Sequence, residues 1–164
     1  MKKIFKITAL IFLTLGTPAS MCTKVITYAA DHPTEAVVHA YSSNIAVAMQ
    51  QAQKALATLG YEVAQVDESR NQIITGWQPS KSDSHYMELF KHKDYSGNSG
   101  AYYKLVVDVF EEAPRVKVSV YTIVKSLSGN LTSSHVVENQ LLKRIDDYMR
   151  SPQIEMTNIG VQER

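Results

Sequence analysis

The chain predicts an α+β fold: an antiparallel β-sheet of four to five strands packed on one face by two helices, in the order β-α-β-β-(variable)-β-β-α. Three observations lead there. Between residues 102 and 125, Tyr103, Leu105, Val107, Val109, Val116, Val118, Val120 and Val124 alternate with Tyr102, Lys104, Asp108, Lys117, Ser119, Tyr121 and Lys125. Such alternation marks antiparallel strands with one buried and one wet face. Apolar residues at helical spacing recur in two other places, 45–59 and 137–148, and two amphipathic helices can cover the buried face.

The elements follow in order. Val37 to Tyr41 reads as a short first strand. Ser42 or Ser43 can cap the helix that follows. Its stripe is Ile45, Ala48, Met49, Ala52, Ala55, Leu56 and Leu59, with Gln50, Gln51, Gln53 and Lys54 left outside. Gly60 supplies the stop. Tyr61 to Val66 and Gln72 to Gln78 form a hairpin around Asp67-Glu68-Ser69-Arg70-Asn71, ended by Pro79. Gly76 within it marks a bulge or a close neighbouring backbone. Residues 83–92 fit either a short helix capped by Asp83 or a strand, and 95–100 is a loop. Glu111-Glu112-Ala113-Pro114-Arg115 turns between the two long strands. After a polar loop, Ser134 starts a second helix with Glu138 in its first turn and Val137, Leu141, Leu142, Ile145 and Tyr148 on its apolar side. A carboxylate there is favoured by the helix dipole. Ser151-Pro152 ends it. The polar tail of 153–164 reads as disordered or as an edge strand.

The N-terminus supplies an address. Lys2, Lys3 and Lys6 precede an apolar run from Ile7 to Leu15 and a small-residue exit, Gly16-Thr17-Pro18-Ala19-Ser20. This is the layout of a secretory signal peptide. The apolar run is far short of the ~20 residues that cross a bilayer. Two exits are open. Thr17-Pro18-Ala19 suits ordinary cleavage. Ala19-Ser20-Met21-Cys22 resembles the lipobox of bacterial lipoproteins, a family in which the cysteine is acylated and becomes the new N-terminus. The expected organisation is a signal peptide over 1–21, a tether over 22–36, one domain over 37–150 and a tail over 151–164. On the lipoprotein reading the membrane is a partner through lipid on Cys22.

The order of elements, with Leu59-Gly60-Tyr61 leading into a strand, an acidic turn at Asp67-Glu68 and a strand carrying Ile73, Ile74 and Trp77, resembles the helix-grip domains of bacterial outer-membrane lipoproteins. The lipoprotein subunit of the β-barrel assembly machinery carries two such domains; here one is present. The resemblance spans roughly residues 37–150. It implies a helix-grip fold in the periplasm and an accessory role among envelope proteins.

Composition narrows the chemistry. Cys22 is the only cysteine, so the domain has no disulfide, thiolate nucleophile or thiolate metal site. Loss of Lys2, Lys3 and Lys6 with the leader changes the formal net charge from +1 to about −2. That balance argues against nucleic acid, which calls for a concentrated basic face. Neither a phosphate-cradling glycine loop nor His-Glu-x-x-His nor a Gly-x-Ser-x-Gly elbow is present. His85, Glu88 and His92 would share a helical face and could hold zinc, but on a strand the two histidines part, and Lys91 and Lys93 repel a cation. No metal and no cofactor are expected. His32, His39 and His135 read as surface groups, and the pairs Glu111-Glu112 and Asp146-Asp147 as solvated charge.

Nine tyrosines remain to be explained. Trp77, Tyr86, Tyr95, Tyr102, Tyr103 and Tyr121 lie on the strands and the variable segment, and aromatic groups with a polar handle favour interfaces. The expectation is a non-enzymatic exported envelope protein that binds another envelope protein through its sheet or its 80–100 segment. The alternative is a periplasmic carrier for a lipid or small apolar ligand. Replacing Cys22 with serine should release the protein from the membrane fraction of its host. Full retention there would remove the lipid anchor from the account.

Overall fold

The computed structural model describes residues 30–81, 83–87, 100–127 and 129–150, and the backbone of 154–157 and 160–163. The fold is α+β, as the alternation and the two stripes predict. Seven strand segments form the main antiparallel sheet: β1 (His32–Pro33), β2 (Val37–Tyr41), β3 (Val63–Asp67), β4 (Gln72–Thr75), β5 (Gln78–Pro79), β7 (Tyr102–Glu112) and β8 (Arg115–Lys125). They fill five positions. β1 and β2 follow one another along one side of β8, pairing at Val124–Ile123 and then at Val120–Val116. β4 and β5 do the same along β7, and β3 completes the sheet beyond β4. The segment expected to be a tether therefore contributes His32 and Pro33 to the sheet, and Thr34 adds a backbone bond to Thr122 at 2.8 Å.

Both helices cover one face. α1 (Ile45–Thr58) packs over β7, β8 and β3, while α2 (Val136–Arg150) packs over β8 and β2 and against α1. Ala48, Ala52 and Ala55 are wholly buried, and their small side chains bring α1 close to its neighbours. The N-cap is Asn44, not Ser42 or Ser43: its Oδ1 accepts from Val47 N–H at 2.8 Å. At the other end Gly60 adopts φ +82°, and the amides of Gly60 and Tyr61 donate to the carbonyls of Ala57 and Leu56. That is the double-bonded left-handed stop for which glycine is suited. Gln51 was expected outside but is buried, facing the junction of the two helices near Tyr41 and Tyr148.

The sheet shows two departures from the expected hairpin. The irregularity lies on β3, between Val63 and Gln65, not at Gly76. A Cβ added at Gly76 would meet only the Glu62 carbonyl, at 3.9 Å, so close approach does not demand glycine there. The ladder stops at Gly76-Trp77 and resumes at Gln78 and Pro79. In the ambiguous segment, His85 and Tyr86 form a strand, β6, paired with β9 (Thr132–Ser133) in a separate two-stranded ladder. The rest of that expectation, 88–92, lies outside the described residues. The tail forms its own ladder of β10 (Ile154–Thr157) with β11 (Gly160–Glu163) instead of adding to the main sheet.

The apolar set of α2 is buried as predicted, with Leu141, Leu142 and Ile145 at 0 % exposure. These residues close the core over Val118 and Val120. Leu141→Ala is expected to destabilise the domain by about 2–5 kcal/mol, read as a lowered midpoint in urea unfolding with little change in slope.

Candidate functional site

The β7–β8 ladder sorts its side chains cleanly. Residues directly opposite one another share a face. Tyr103–Val124, Leu105–Thr122, Val107–Val120 and Val109–Val118 face the helices, and Tyr102–Lys125, Lys104–Ile123, Val106–Tyr121, Asp108–Ser119 and Phe110–Lys117 face away. The second face bears no helix among the described elements. β4 adds Ile74 and Gln72 beside Val106 and Asp108, and β2 adds Val38 beside Ser119.

Trp77 lies at one end of this outer face, 41 % exposed. The Lys104 ammonium sits 4.9 Å from its ring centre and that of Lys125 5.9 Å. Such cation–π contacts contribute about 0.5–1 kcal/mol at exposed sites. Tyr102, 39 % exposed, is on the same strand end. In the middle, Asp108 accepts from Gln72 Nε2 at 2.7 Å and from the Tyr121 hydroxyl. Burial raises the Tyr121 pKa first, and the Asp108 carboxylate raises it further. Phe110 is exposed at the far end. The structure thus brings Trp77, Tyr102 and Tyr121 together and adds Lys104, Lys125 and Phe110, which the tyrosine argument missed.

Other expected contact residues lie elsewhere. Tyr103 belongs to the core: its ring stacks at a tilt on His85, 4.8 Å between centres, and its hydroxyl meets that of Tyr61 at 3.0 Å. Its place opposite Val124 puts it on the helix side. Burial, chiefly, drives its pKa upward. Tyr86 is half-buried on β6, opposite Thr132. Tyr95 and Cys22 lie outside the described residues.

A second constellation, on the helix side, is absent from the sequence reading. His85 is wholly buried. Its Nε2 lies 3.0 Å from Thr122 Oγ1, and its Nδ1 lies 3.0 Å from Ser84 Oγ and 3.2 Å from Ser80 Oγ. Thr122 Oγ1 donates to Glu138 Oε1 at 3.3 Å, and Ser84 Oγ donates to the Lys81 carbonyl at 2.9 Å. Those two donations fix the rest. Thr122 has one proton, so it must accept from His85 Nε2–H. Nδ1 is then the acceptor, and Ser80 is the hydroxyl free to donate to it. Thr34 Oγ1 stands 2.9 Å from Thr122 Oγ1. Glu138, in the first turn of α2 as expected, is wholly buried, and its Oε2 has no hydrogen-bond partner. Only a weak signal pointed here: Thr122 is the hydroxyl within an otherwise all-valine inward series from Val116 to Val124.

In this network both ring nitrogens of His85 are engaged within the buried interior. Glu88 and His92 lie outside the described residues, and no metal-holding group of three ligands occurs among those described. Of the other histidines, His39 is exposed as expected. His32 is half-buried opposite Val124, and His135 holds φ +59° at the start of α2 with its Nδ1 buried. Ser134, where the second helix was expected to start, lies just before it and donates to the carbonyls of Asp83 and Ser84, while the His135 carbonyl receives the first helical bond from Asn139. The adjacent acids are paired outward, Asp146 with Arg150 at 2.7 Å and Glu112 with Lys117.

Burial pulls the His85 pKa down to about 4, against about 6.5 in an unfolded chain. The unfolded state therefore binds the extra proton between those values. The stabilisation is complete above pH 6.5 and is lost as pH falls toward 4, by roughly 3 kcal/mol in the limit. Thermal unfolding from pH 7.5 to 4.5 should show a steeper loss for the native protein than for His85→Gln; equal slopes would remove His85 from the acid sensitivity.

No protein-family model matches this chain, and no curated protein matches it.

Proposed function

We propose that this protein is a non-enzymatic component of the bacterial cell envelope, exported and held at the outer membrane by lipid on Cys22. Its α+β domain stands in the periplasm and acts as an accessory or assembly factor. It contacts another envelope protein through the outer face of the sheet. The observation that carries this reading is the aromatic and cationic surface of Trp77, Tyr102, Lys104 and Lys125, set on two eleven-residue strands. Aromatic anchors on a rigid support lose little conformational entropy when a partner covers them, and they dominate binding energy at interfaces.

A carrier of lipid or a small apolar ligand finds less support. Such a protein keeps an internal cavity between helix and sheet. Here Leu56, Ile73, Leu105, Leu141 and Ile145 meet in that space at 0 % exposure. Two hollows among the described residues, of about 460 and 360 Å³, lie outside it, one against β3 and one where the two helices meet β2.

A photocrosslinking residue placed at Trp77 or Tyr102 should capture one envelope protein in the native host, while one at Lys143 on α2 should not. Trp77→Ala combined with Lys104→Glu should reduce capture at Tyr102 about tenfold and leave the unfolding midpoint nearly unchanged. Capture confined to Lys143 would sink this assignment of the face.

A further inference from the structure

Among the described residues, β3 pairs only with β4, so the other side of Val63–Asp67 presents unpaired amides and carbonyls. Natural sheet edges are usually blunted by lysine, proline or a covering element. The opposite edge has Pro33 in β1, and α2 packs against β2. β3, with the sequence Val-Ala-Gln-Val-Asp, contains neither lysine nor proline; its irregularity lies between Val63 and Gln65 and leaves Gln65–Asp67 in regular register with β4. Beside it runs a cleft of about 460 Å³ between the edge and α1, lined by Ile45, Met49, Gln50, Gln53, Val66 and Glu68. Val66 faces the helix side, opposite Ile73, yet remains 40 % exposed. An open strand edge beside a helix–strand cleft, its lining shared between apolar Ile45, Met49 and Val66 and polar Gln50, Gln53 and Glu68, is an arrangement that can take up an extended peptide as an added strand.

Charge selects the occupant. Glu62 and Glu68 are exposed at the two ends of β3. The cation next to Glu68 in the turn, Arg70, is engaged with Asp67 at 3.8 Å. The register shift between Val63 and Gln65 turns Glu62 and Glu68 to opposite faces, so both ends of the edge are acidic; a second copy of this chain would bring a second set of the same carboxylates against them, and like charges brought together are destabilising.

We infer that β3 and α1 form a docking site for an extended peptide segment of another protein, adding a strand to β3, with an apolar side chain over the cleft beside Val66 and basic residues facing Glu62 and Glu68. The site is separate from the Trp77 face and depends neither on it nor on the lipid anchor.

The test uses the exported domain and the acetylated peptide Lys-Thr-Val-Thr-Val-Thr-Lys, followed by amide NMR shifts. Shifts should concentrate in 62–68 and along 45–53. The same peptide with glutamates for lysines should bind about tenfold weaker, since attraction to the acidic ends of the edge becomes repulsion. Glu62→Lys with Glu68→Lys should reverse that preference, and both changes are at exposed positions. A peptide N-methylated at alternate residues should lose binding, because it cannot donate to the ladder. The inference is overturned by shifts elsewhere, by equal binding of the N-methylated peptide, or by a concentration-dependent dimer whose contacts map to β3.

Discussion

The β7–β8 ladder is the constraint on which the remaining structure depends. Eleven residue pairs run from Tyr102–Lys125 to Glu112–Arg115 without a break in register. A slip of one residue would turn Leu105, Val107, Val118 and Val120 to water and bring Lys104, Asp108 and Lys117 beneath the helices. Burial of the valine face against α1 and α2 therefore holds the register. The register in turn places every group on the outer face. Core stability and the aromatic and cationic outer surface are two consequences of one alternation.

Thr122 is where this division is least simple. It occupies an inward position otherwise filled by valine, and there it joins four separate parts of the chain: Thr34 beside β1, His85 on β6, its own strand and Glu138 on α2. A valine would bury as much apolar surface, so packing alone does not account for the hydroxyl. The hydroxyl accepts from the imidazole and donates to the carboxyl group. Without it, two buried polar groups would lose partners, at about 1–3 kcal/mol each. The network also ties the β6–β9 ladder to β8 of the main sheet.

What was legible in the sequence follows from distance along the chain. The period of two in β7 and β8 and the helical stripes of α1 and α2 are local patterns, and each put its residues on the observed face. Tyr103 was readable in the same way, since it alternates in phase with Leu105, but its aromatic character drew attention to an interface instead. The caps were harder. Ser42, Ser43 and Asn44 are adjacent candidates of similar propensity, and only the backbone path selects Asn44. Gln51 and Glu138 are polar residues whose burial depends on where a second element crosses. The His85 network joins residues up to 88 apart in sequence, so no window of the sequence contains it.

The outer face has its own economy. Val106 points away from the helices yet is 1 % exposed, flanked in register by Ile74 and Tyr121. At the centre Asp108, Gln72 and Tyr121 satisfy one another. Apolar surface is left open mainly at the two ends, with Trp77 and Tyr102 at one and Phe110 and Val38 at the other. Tyr102 and Phe110 are eight residues apart on one strand, about 27 Å at the usual rise. That span is comparable to the width of a standard protein interface of about 800 Å² a side. A small ligand would touch only one end of it. A folded partner can cover both, with the polar middle setting its orientation, and this is the physical reason to read the surface as a protein contact.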